Sequence, residues 1–484
     1  MTGEELKEKL NEIQKMKCES QTLEIKSAEF GCPHRLFDTL SSFSNQDDGG
    51  TIIFGVNEED DYREVGVYDP QDLQKKVGEQ CQQMEPPVRP LLTVAEKEGA
   101  FYVSAEIPGM DVTERPCFYR GKGRIKGSYV RVGDSDVPMT EYEVYSYEAY
   151  RKKYQDDIRP IPRETLHALD RNKLEDYVVK LKNGKPHLAS LDDETIYELM
   201  SITVNGQVTL AATLLFSPFP QAFVPQLGII ATVVPGTEMG DRGDQEERFT
   251  DNRRIEGTIP EMIDEALVFV RRNMKTKTII DPDTGKRQDR TEYPITAVRE
   301  VILNALVHRD YSIHTEGMPI QLTMYEDRME ITNPGGLYGR IKIDQLGKVQ
   351  PDTRNPVLAN ALETLGLTEN RYSGIPTIRK EMEKAGLREP LFQDNRGQFS
   401  VTFYNAETSE ETQPPEKHEL SEEDRKLMEF CATPRTRKEI ANYLGIKTVS
   451  YAIKSRIQPL IDTGLIKLTV PNAPQSPKQK YYTV

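Results

Sequence analysis

A chain of 484 residues with 37% hydrophobic and 29% charged residues has length for about three globular domains and is too apolar for a disordered protein. Its net charge of -15 excludes a protein that coats nucleic acid over its whole surface, while local basic faces stay open. No run approaches the roughly 18 apolar residues of a membrane helix, and the five cysteines are scattered without a CxxC pair, so neither a disulfide framework nor a zinc ribbon is indicated.

The opening stretch, MTGEELKEKL, lacks the apolar core of a secretory signal, so a cytoplasmic location is the expectation. The spacing predicts a helix over 4–17 and then a strand in TLEIK, where Leu23 and Ile25 alternate with Thr22, Glu24 and Lys26. A helix over 36–43 leads into the turn signal NQDDGG and the strand TIIFGV, with further strands in FYVSAEIP and GSYVRVG. The polar stretch 151–163, with two prolines, reads as a joint. Beyond it come a helix over 193–199, strands in VTLAATLLF and LGIIATVV, a charged loop over 238–254 and a helix over 259–274. Residues 293–404 form a unit of a helix over 295–308, strands in IQLTMYED and RMEITNPGG, a helix over 355–365, a glycine turn and a closing strand, QFSVTFY. The stretch 405–421 is acidic with paired prolines, which is linker composition. The remainder reads as three helices and two short strands, with Gly445 and Gly464 at helix stops, which is winged-helix spacing. The expected fold class is α+β multidomain, with domains over 1–155, 156–290 and 291–405, a linker over 406–421 and a last domain over 422–484.

In REVILNALVHRDYS, Glu300, Asn304 and His308 stand one turn apart, so one helix face presents a carboxylate, an amide and an imidazole while Val298, Val301, Ile302 and Ala305 pack inward. An amide oxygen beside a carboxylate can hold Mg²⁺ on nucleotide phosphates, and the carboxylate can orient or deprotonate water; the plain alternative is a half-buried helix with a polar stripe. Downstream, EITNPGGL ends a strand in Asn333, Pro334, Gly335 and Gly336, and ENRYSGIP puts Gly374 at a helix start, points where glycine lets a backbone approach a ligand. The stretches EYPITAVREVILNALVHRDYS, MEITNPGGL and TRNPVLANAL, with the turn at Gly374, resemble the GHKL-type ATPase fold shared by histidine kinases and gyrase. Within it they are most similar to the subfamily labelled as the C-terminal region of helicase-like proteins that carry a Schlafen AlbA-type domain. The resemblance implies a GHKL-like α/β sandwich that binds ATP. In it Asn304 is the Mg²⁺ ligand and Glu300 the general base, His308 belongs to the cofactor site, the Asn333–Gly336 turn faces the adenine, and Gly374 lies near the phosphates. Two departures stand out: the adenine-reading Asp of that group is Asn333 here, and NRYSG carries one glycine fewer than usual. Nothing matches GxxxxGK[ST], so the P-loop of a helicase motor is absent.

Near the N-terminus, alternation puts Glu24 and Lys26 on one strand face, and with Glu19 and Glu58 nearby they can hold a divalent metal and neutralise a phosphoryl transition state. A solvated Glu/Lys pair is the alternative. ESQTLEIKSA, DTLSSFSNQDDGGTIIFGVNEE and GSYVRVGDSD resemble the Schlafen AlbA-type domain. The resemblance implies that the acidic trio of nuclease-competent Schlafens maps onto Glu19, Glu24 and Glu58, the last an Asp in that family, with Mg²⁺ or Mn²⁺ as cofactor and RNA or DNA as substrate. In YRGKGRIKGSYVRVG, Arg120, Lys122, Arg124 and Lys126 recur at period two and Tyr129 and Arg131 continue nearby, the spacing of a phosphate-tracking ribbon if the segment is extended. A solvated, charge-guarded edge strand reads the same way.

From Arg425 onward there are eleven Lys or Arg against three Asp or Glu, in an otherwise acidic chain. A recognition helix over 448–460 places Lys447, Ser450, Tyr451, Lys454 and Arg456 as nucleic-acid contacts, with Lys467, Lys478 and Lys480 on or near the wing. The expectation is an ATP-binding, nucleic-acid-binding effector, homo-oligomeric and not in a membrane, that cuts RNA or single-stranded nucleic acid under control of its ATP domain, as in phage defence. Two other readings stay open: a DNA-binding transcriptional regulator whose AlbA-type domain is not catalytic, and an ATPase that remodels a protein partner.

Overall fold

The computed structural model describes residues 1–280, 287–350, 352–368, 373–395, 397–405, 422–446, 453–462, 465–469 and 479–483. The chain divides into two units, one of residues 1–152 with 414–484 and one of residues 153–413.

In the first unit, helix α1 (Gly3–Met16) starts on a Thr2/Glu5 capping box and buries Leu6, Leu10 and Ile13, one face at helical spacing. That face packs on one side of a four-stranded sheet, against Leu23 and Ile25 of β1 (Leu23–Lys26) and Ile53 of β2 (Gly50–Phe54). β1 runs parallel to β2, with Glu24 opposite Ile52 and Lys26 opposite Phe54. The sheet continues antiparallel through β4 (Ala100–Ile107) to β3 (Leu91–Lys97). Side chains alternate across a strand, so Ile52 and Phe54 enter a second core, with Leu40 and Phe43 of α2 (Phe37–Ser44) and Leu73 and Val77 of α3 (Pro70–Gln82). Glu24 therefore projects on the α2 side of the sheet, the side from which β5 (Tyr129–Val132), paired with β6 (Ser135–Pro138), delivers Arg131 over the Phe43 ring.

The segment read as a basic strand departs from expectation. Residues 120–122 form a 3₁₀ turn and Gly123–Gly127 a single helical turn, α4, so the four cations share no face. The glycines are the cause. Gly123 sits at φ +71°, and a Cβ on Gly127 would meet the Tyr119 carbonyl at 2.6 Å, so the chain coils where a strand would run straight.

The C-terminal segment packs the helices Glu422–Phe430, Arg437–Tyr443 and Gln458–Asp462 on a three-stranded sheet ordered 435–436, 480–483, 466–468. Its core is Leu427, Ile440, Ile457, Ile466 and Tyr481. Gly445, at φ +66°, follows the end of the second of these helices as expected, while Gly464 lies outside the described residues.

The second unit holds a six-stranded mixed sheet. Its order is β8 (Asp251–Ile255), β7 (Ile229–Val233), β9 (Ile320–Met324), β10 (Arg328–Pro334), β12 (Gln398–Tyr404) and β11 (Leu391–Asp394), with only β7 and β9 parallel. One hydrophobic core runs from Ile161 to Phe403, so the boundary expected at 290/291 passes through this sheet rather than between two cores. Two local readings change here. LAATLLF is a helix, α5 (Leu210–Phe216), whose start is capped by Thr209, an all-apolar run whose period cannot tell strand from buried helix. DNRRI, expected in a loop, is edge strand β8, stabilised by pairing with β7 in spite of its charge. Helix α6 (Ile295–His308) buries Val298, Val301, Ile302 and Ala305 as predicted and faces α8 (Gly374–Lys384). No helix among the described residues is long and apolar enough to cross a membrane.

Candidate functional site

A cavity of about 520 Å³ opens in the second unit between α6, the end of β10, α8 and the loop over 335–354, a size in the range of small-molecule sites. Helical periodicity does what the sequence promised: Glu300, Asn304 and His308 all line it. Gly374 begins α8 against the first two, since a Cβ there would lie 3.0 Å from Asn304 Nδ2 and 3.2 Å from Glu300 Oε2. A methyl group there would press on both side chains by a few tenths of an ångström, so glycine suits the close approach of the α8 N-terminus. Arg299 reaches Glu300 at 3.4 Å and anchors itself on the Leu367 carbonyl at 3.0 Å.

At the other end, alternation along β10 turns Met329, Ile331 and Asn333 toward the helices. Asn333 is 5% exposed, its Oδ1 meets no hydrogen-bond partner, and Ile331, Phe399 and Val401 form the apolar wall around it. Gly335 follows at φ +98°, where a Cβ would meet Arg354 Nη1 at 2.3 Å and Asp310 Cβ at 2.5 Å. The turn is held by Arg354, whose Nη2 donates to the Gly336 carbonyl at 3.2 Å while Nη1 lies 3.5 Å from Asp310 and the guanidinium 5.0 Å from the Tyr338 ring centre. Sequence reasoning missed Arg354 as a wall residue, although TRNPVLANAL contains it. The next residue, Asn355, is structural, because its Nδ2 donates at 2.8 Å to the carbonyls of Val307 and Arg309 and so closes the end of α6. Helix α7 (Pro356–Thr364) starts on Asp157, whose Oδ2 accepts from Val357 N at 2.9 Å and Leu358 N at 3.1 Å. His308 opens onto the cavity, yet protein surrounds it; lost bulk water first, and the Arg354 charge second, hold its pKa below the usual histidine range. The wall thus offers a carboxylate, an amide and a helix N-terminus at one end, and one open amide in an apolar slot at the other. That donor set fits a Mg²⁺-bound phosphate chain and a flat heterocycle.

The N-terminal carboxylates do not fit a metal. Glu19 Oε1 accepts from Ile25 N at 2.8 Å, and Glu24 pairs with Lys26 on its own strand face, as predicted. Arg131 enters the same cluster, 2.8 Å from Glu24, 4.0 Å from Glu19 and 3.0 Å from Asp136. It is only 4% exposed, so Arg131, expected to touch phosphate, is instead a buried counter-ion. Burial first, and the Glu24 charge second, push Glu19 up to about 8, and Glu58, on the 3₁₀ turn Glu58–Asp60, adds to that shift by its charge. Burial works against the Arg131 charge, but Glu24 and Asp136 outweigh it and its pKa is raised. A guanidinium and an ammonium already stand among these carboxylates, and no group of three or more His, Cys, Asp or Glu is arranged to hold a metal among the described residues.

The other basic residues are dispersed. Arg120 donates to the Gln82 carbonyl, Lys122 donates to Tyr129 Oη at 2.8 Å, Arg124 pairs with Glu148, and Lys126 is exposed. In the C-terminal segment Arg456 lies 3.6 Å from Asp424, Lys467 is exposed and Lys480 donates to the Lys17 carbonyl at 3.3 Å. Lys447, Ser450, Tyr451 and Lys478, and the side chain of Lys454, lie outside the described residues.

Fold and site together define a multidomain α/β chain with a cavity under its largest sheet. Comparison with protein families places three segments. Residues 19–140 match the family "Schlafen, AlbA_2". Residues 317–403 match "Putative ATP-dependent DNA helicase recG C-terminal", a match that begins after α6. Residues 424–483 match "Filamentation induced by cAMP protein Fic-like, C-terminal domain". Among solved structures, the DIP2311 protein of Corynebacterium diphtheriae aligns with 96% of this chain and 92% of its own, at 16% identity and a TM-score of 0.40. The N-terminal domain of a RecG-related protein from Nitrosomonas europaea aligns with 28% of this chain and 92% of its own, at 28% identity and a TM-score of 0.23. No curated protein matches.

Proposed function

We propose that this chain binds ATP with Mg²⁺ in the cavity of its second unit and binds nucleic acid through its AlbA-type domain and its C-terminal winged helix, as a nucleotide-controlled nucleic-acid-binding protein. The observation that carries the reading is the convergence of Glu300, Asn304 and Gly374 at one end of a cavity whose other end holds the open amide of Asn333. The Asn304 amide oxygen would hold Mg²⁺, which when bound neutralises phosphate charge. Glu300 stands one turn away to orient water, and the α8 N-terminus offers its N–H groups to phosphate. Agreement of residues 317–403 with an ATP-dependent family supports this assignment, and that of residues 19–140 with AlbA_2 supports the nucleic-acid partner.

A regulator with a non-catalytic AlbA-type domain agrees better than a nuclease does with Arg131 lodged among Glu19, Glu24 and Asp136. The test is calorimetric titration of the full chain with ATP and Mg²⁺, beside Asn304→Ala, together with binding and cleavage of labelled duplex DNA and RNA in Mn²⁺. Binding that Asn304→Ala weakens at least tenfold supports the nucleotide site, and ATP-dependent capture of nucleic acid without cleavage supports the rest. Cleavage abolished by Glu24→Gln would restore the nuclease.

A further inference from the structure

The open amide at the apolar end of the cavity bears on which nucleotide the site takes. Asn333 is delivered there by the inward row of β10, 5% exposed, with an Oδ1 that meets no hydrogen-bond partner. A buried polar atom left in this state is costly until a ligand completes it. The identity of the group then decides what completes it. A carboxylate only accepts; it takes the exocyclic amine of adenine and repels the carbonyl oxygen of guanine. An amide carries an acceptor and a donor on one carbon, and half a turn about its terminal torsion exchanges them at small cost. Asn333 can therefore accept from adenine N6 or donate to guanine O6.

A second polar group at this end is neutral between the two bases. Arg354, 7% exposed, lines the cavity beside Gly335, and its Nη1 lies 3.5 Å from Asp310 without forming a hydrogen bond. A guanidinium donor serves a ring nitrogen of either purine, or guanine O6. Neither side chain excludes guanine; His308, which lines the cavity near Arg354, is a neutral imidazole that can donate or accept, and Ile331, Phe399 and Val401 beside Asn333 are apolar and blind to the difference.

Resting on the nucleotide reading above, we propose that Asn333 makes this a site for purine nucleoside triphosphates of both kinds, ATP and GTP, rather than an adenine-only site. The test is displacement of a ribose-labelled fluorescent ATP from the full chain by ATP or GTP, with Mg²⁺ at pH 8. In the wild type the two dissociation constants fall within about tenfold of one another; Asn333→Asp keeps ATP within a few-fold and weakens GTP by about a hundredfold, the scale of one missed buried hydrogen bond to a charged group. Asn333→Ala weakens both purines together, which covers the case in which the buried carboxylate prevents folding. If wild type binds ATP but prefers it to GTP by more than about a hundredfold, the inference is overturned and the nucleotide site stands. If the labelled ATP does not bind at all, the site reading falls and the inference with it.

Discussion

Replacing Gly374 by alanine separates stability from ligand binding. Gly374 is the first residue of α8 and is not among the glycines at positive φ, so its backbone accepts a side chain. Helix propensity alone then favours alanine by about 0.5–1 kcal/mol. Against this, the new methyl must sit 3.0 Å from Asn304 Nδ2 and 3.2 Å from Glu300 Oε2, closer than ordinary contact by a few tenths of an ångström. Both neighbours are side chains facing a cavity, so each can swing away at about 0.5–1.5 kcal/mol. The terms partly cancel, leaving a net cost of at most about 2.5 kcal/mol, and the ligand-free melting temperature should fall by no more than about 10 °C. Binding does not share this cancellation, because the methyl displaces the two side chains that would meet metal and phosphate. We expect ATP affinity to fall at least tenfold. Thermal unfolding with and without ATP and Mg²⁺ reads both effects. At a concentration one hundred times its dissociation constant ATP stabilises the wild type by about 2.7 kcal/mol, and a variant bound tenfold more weakly keeps about 1.4 kcal/mol at that concentration. Full retention of the nucleotide-induced shift in Gly374→Ala would refute the argument that this contact builds the phosphate end.

Three further outcomes follow from the same structure. Arg131→Met strands Glu24 and Asp136 in a buried cluster and should cost about 3–5 kcal/mol in urea unfolding; an unchanged midpoint would show that the guanidinium is not their counter-ion. Glu19, held up at about 8, keeps a proton in the folded chain that the unfolded chain releases near 4.5, so its stabilising effect is full at low pH and is lost as pH rises toward 8. Glu19→Gln should flatten stability against pH between those values, and an unaltered slope would contradict the shift. Asp157→Ala leaves the N–H groups of Val357 and Leu358 without their acceptor and should cost about 1–2 kcal/mol in chemical unfolding; no loss would mean that water caps α7 equally well.

Periodicity was enough to place the candidate site on its elements. The 3.6-residue repeat of α6 put Glu300, Asn304 and His308 on one face without knowledge of any neighbour, and two-residue alternation in TLEIK set the face of Glu24 and Lys26, whereas Asn333 was marked by its glycine turn and the family resemblance, and its inward face became visible only in β10. These are properties of a single segment. The errors fell where one pattern serves two structures: a basic period of two around glycines that coil the chain at 120–127, and an all-apolar run, LAATLLF, that is helix rather than strand. What the sequence by itself determined, then, was which groups each element presents. Only tertiary packing decided which of those groups meet. Gly374 lies on Asn304 because α8 crosses α6, the 229–255 strands join the sheet of the 320–404 strands because they share one core, and Arg131 reaches Glu24 because β5 passes over α2. A charge read along the chain carries no sign of the opposite charge that folding brings to it, and burial of the pair turned an expected phosphate contact and metal ligand into one internal ion pair.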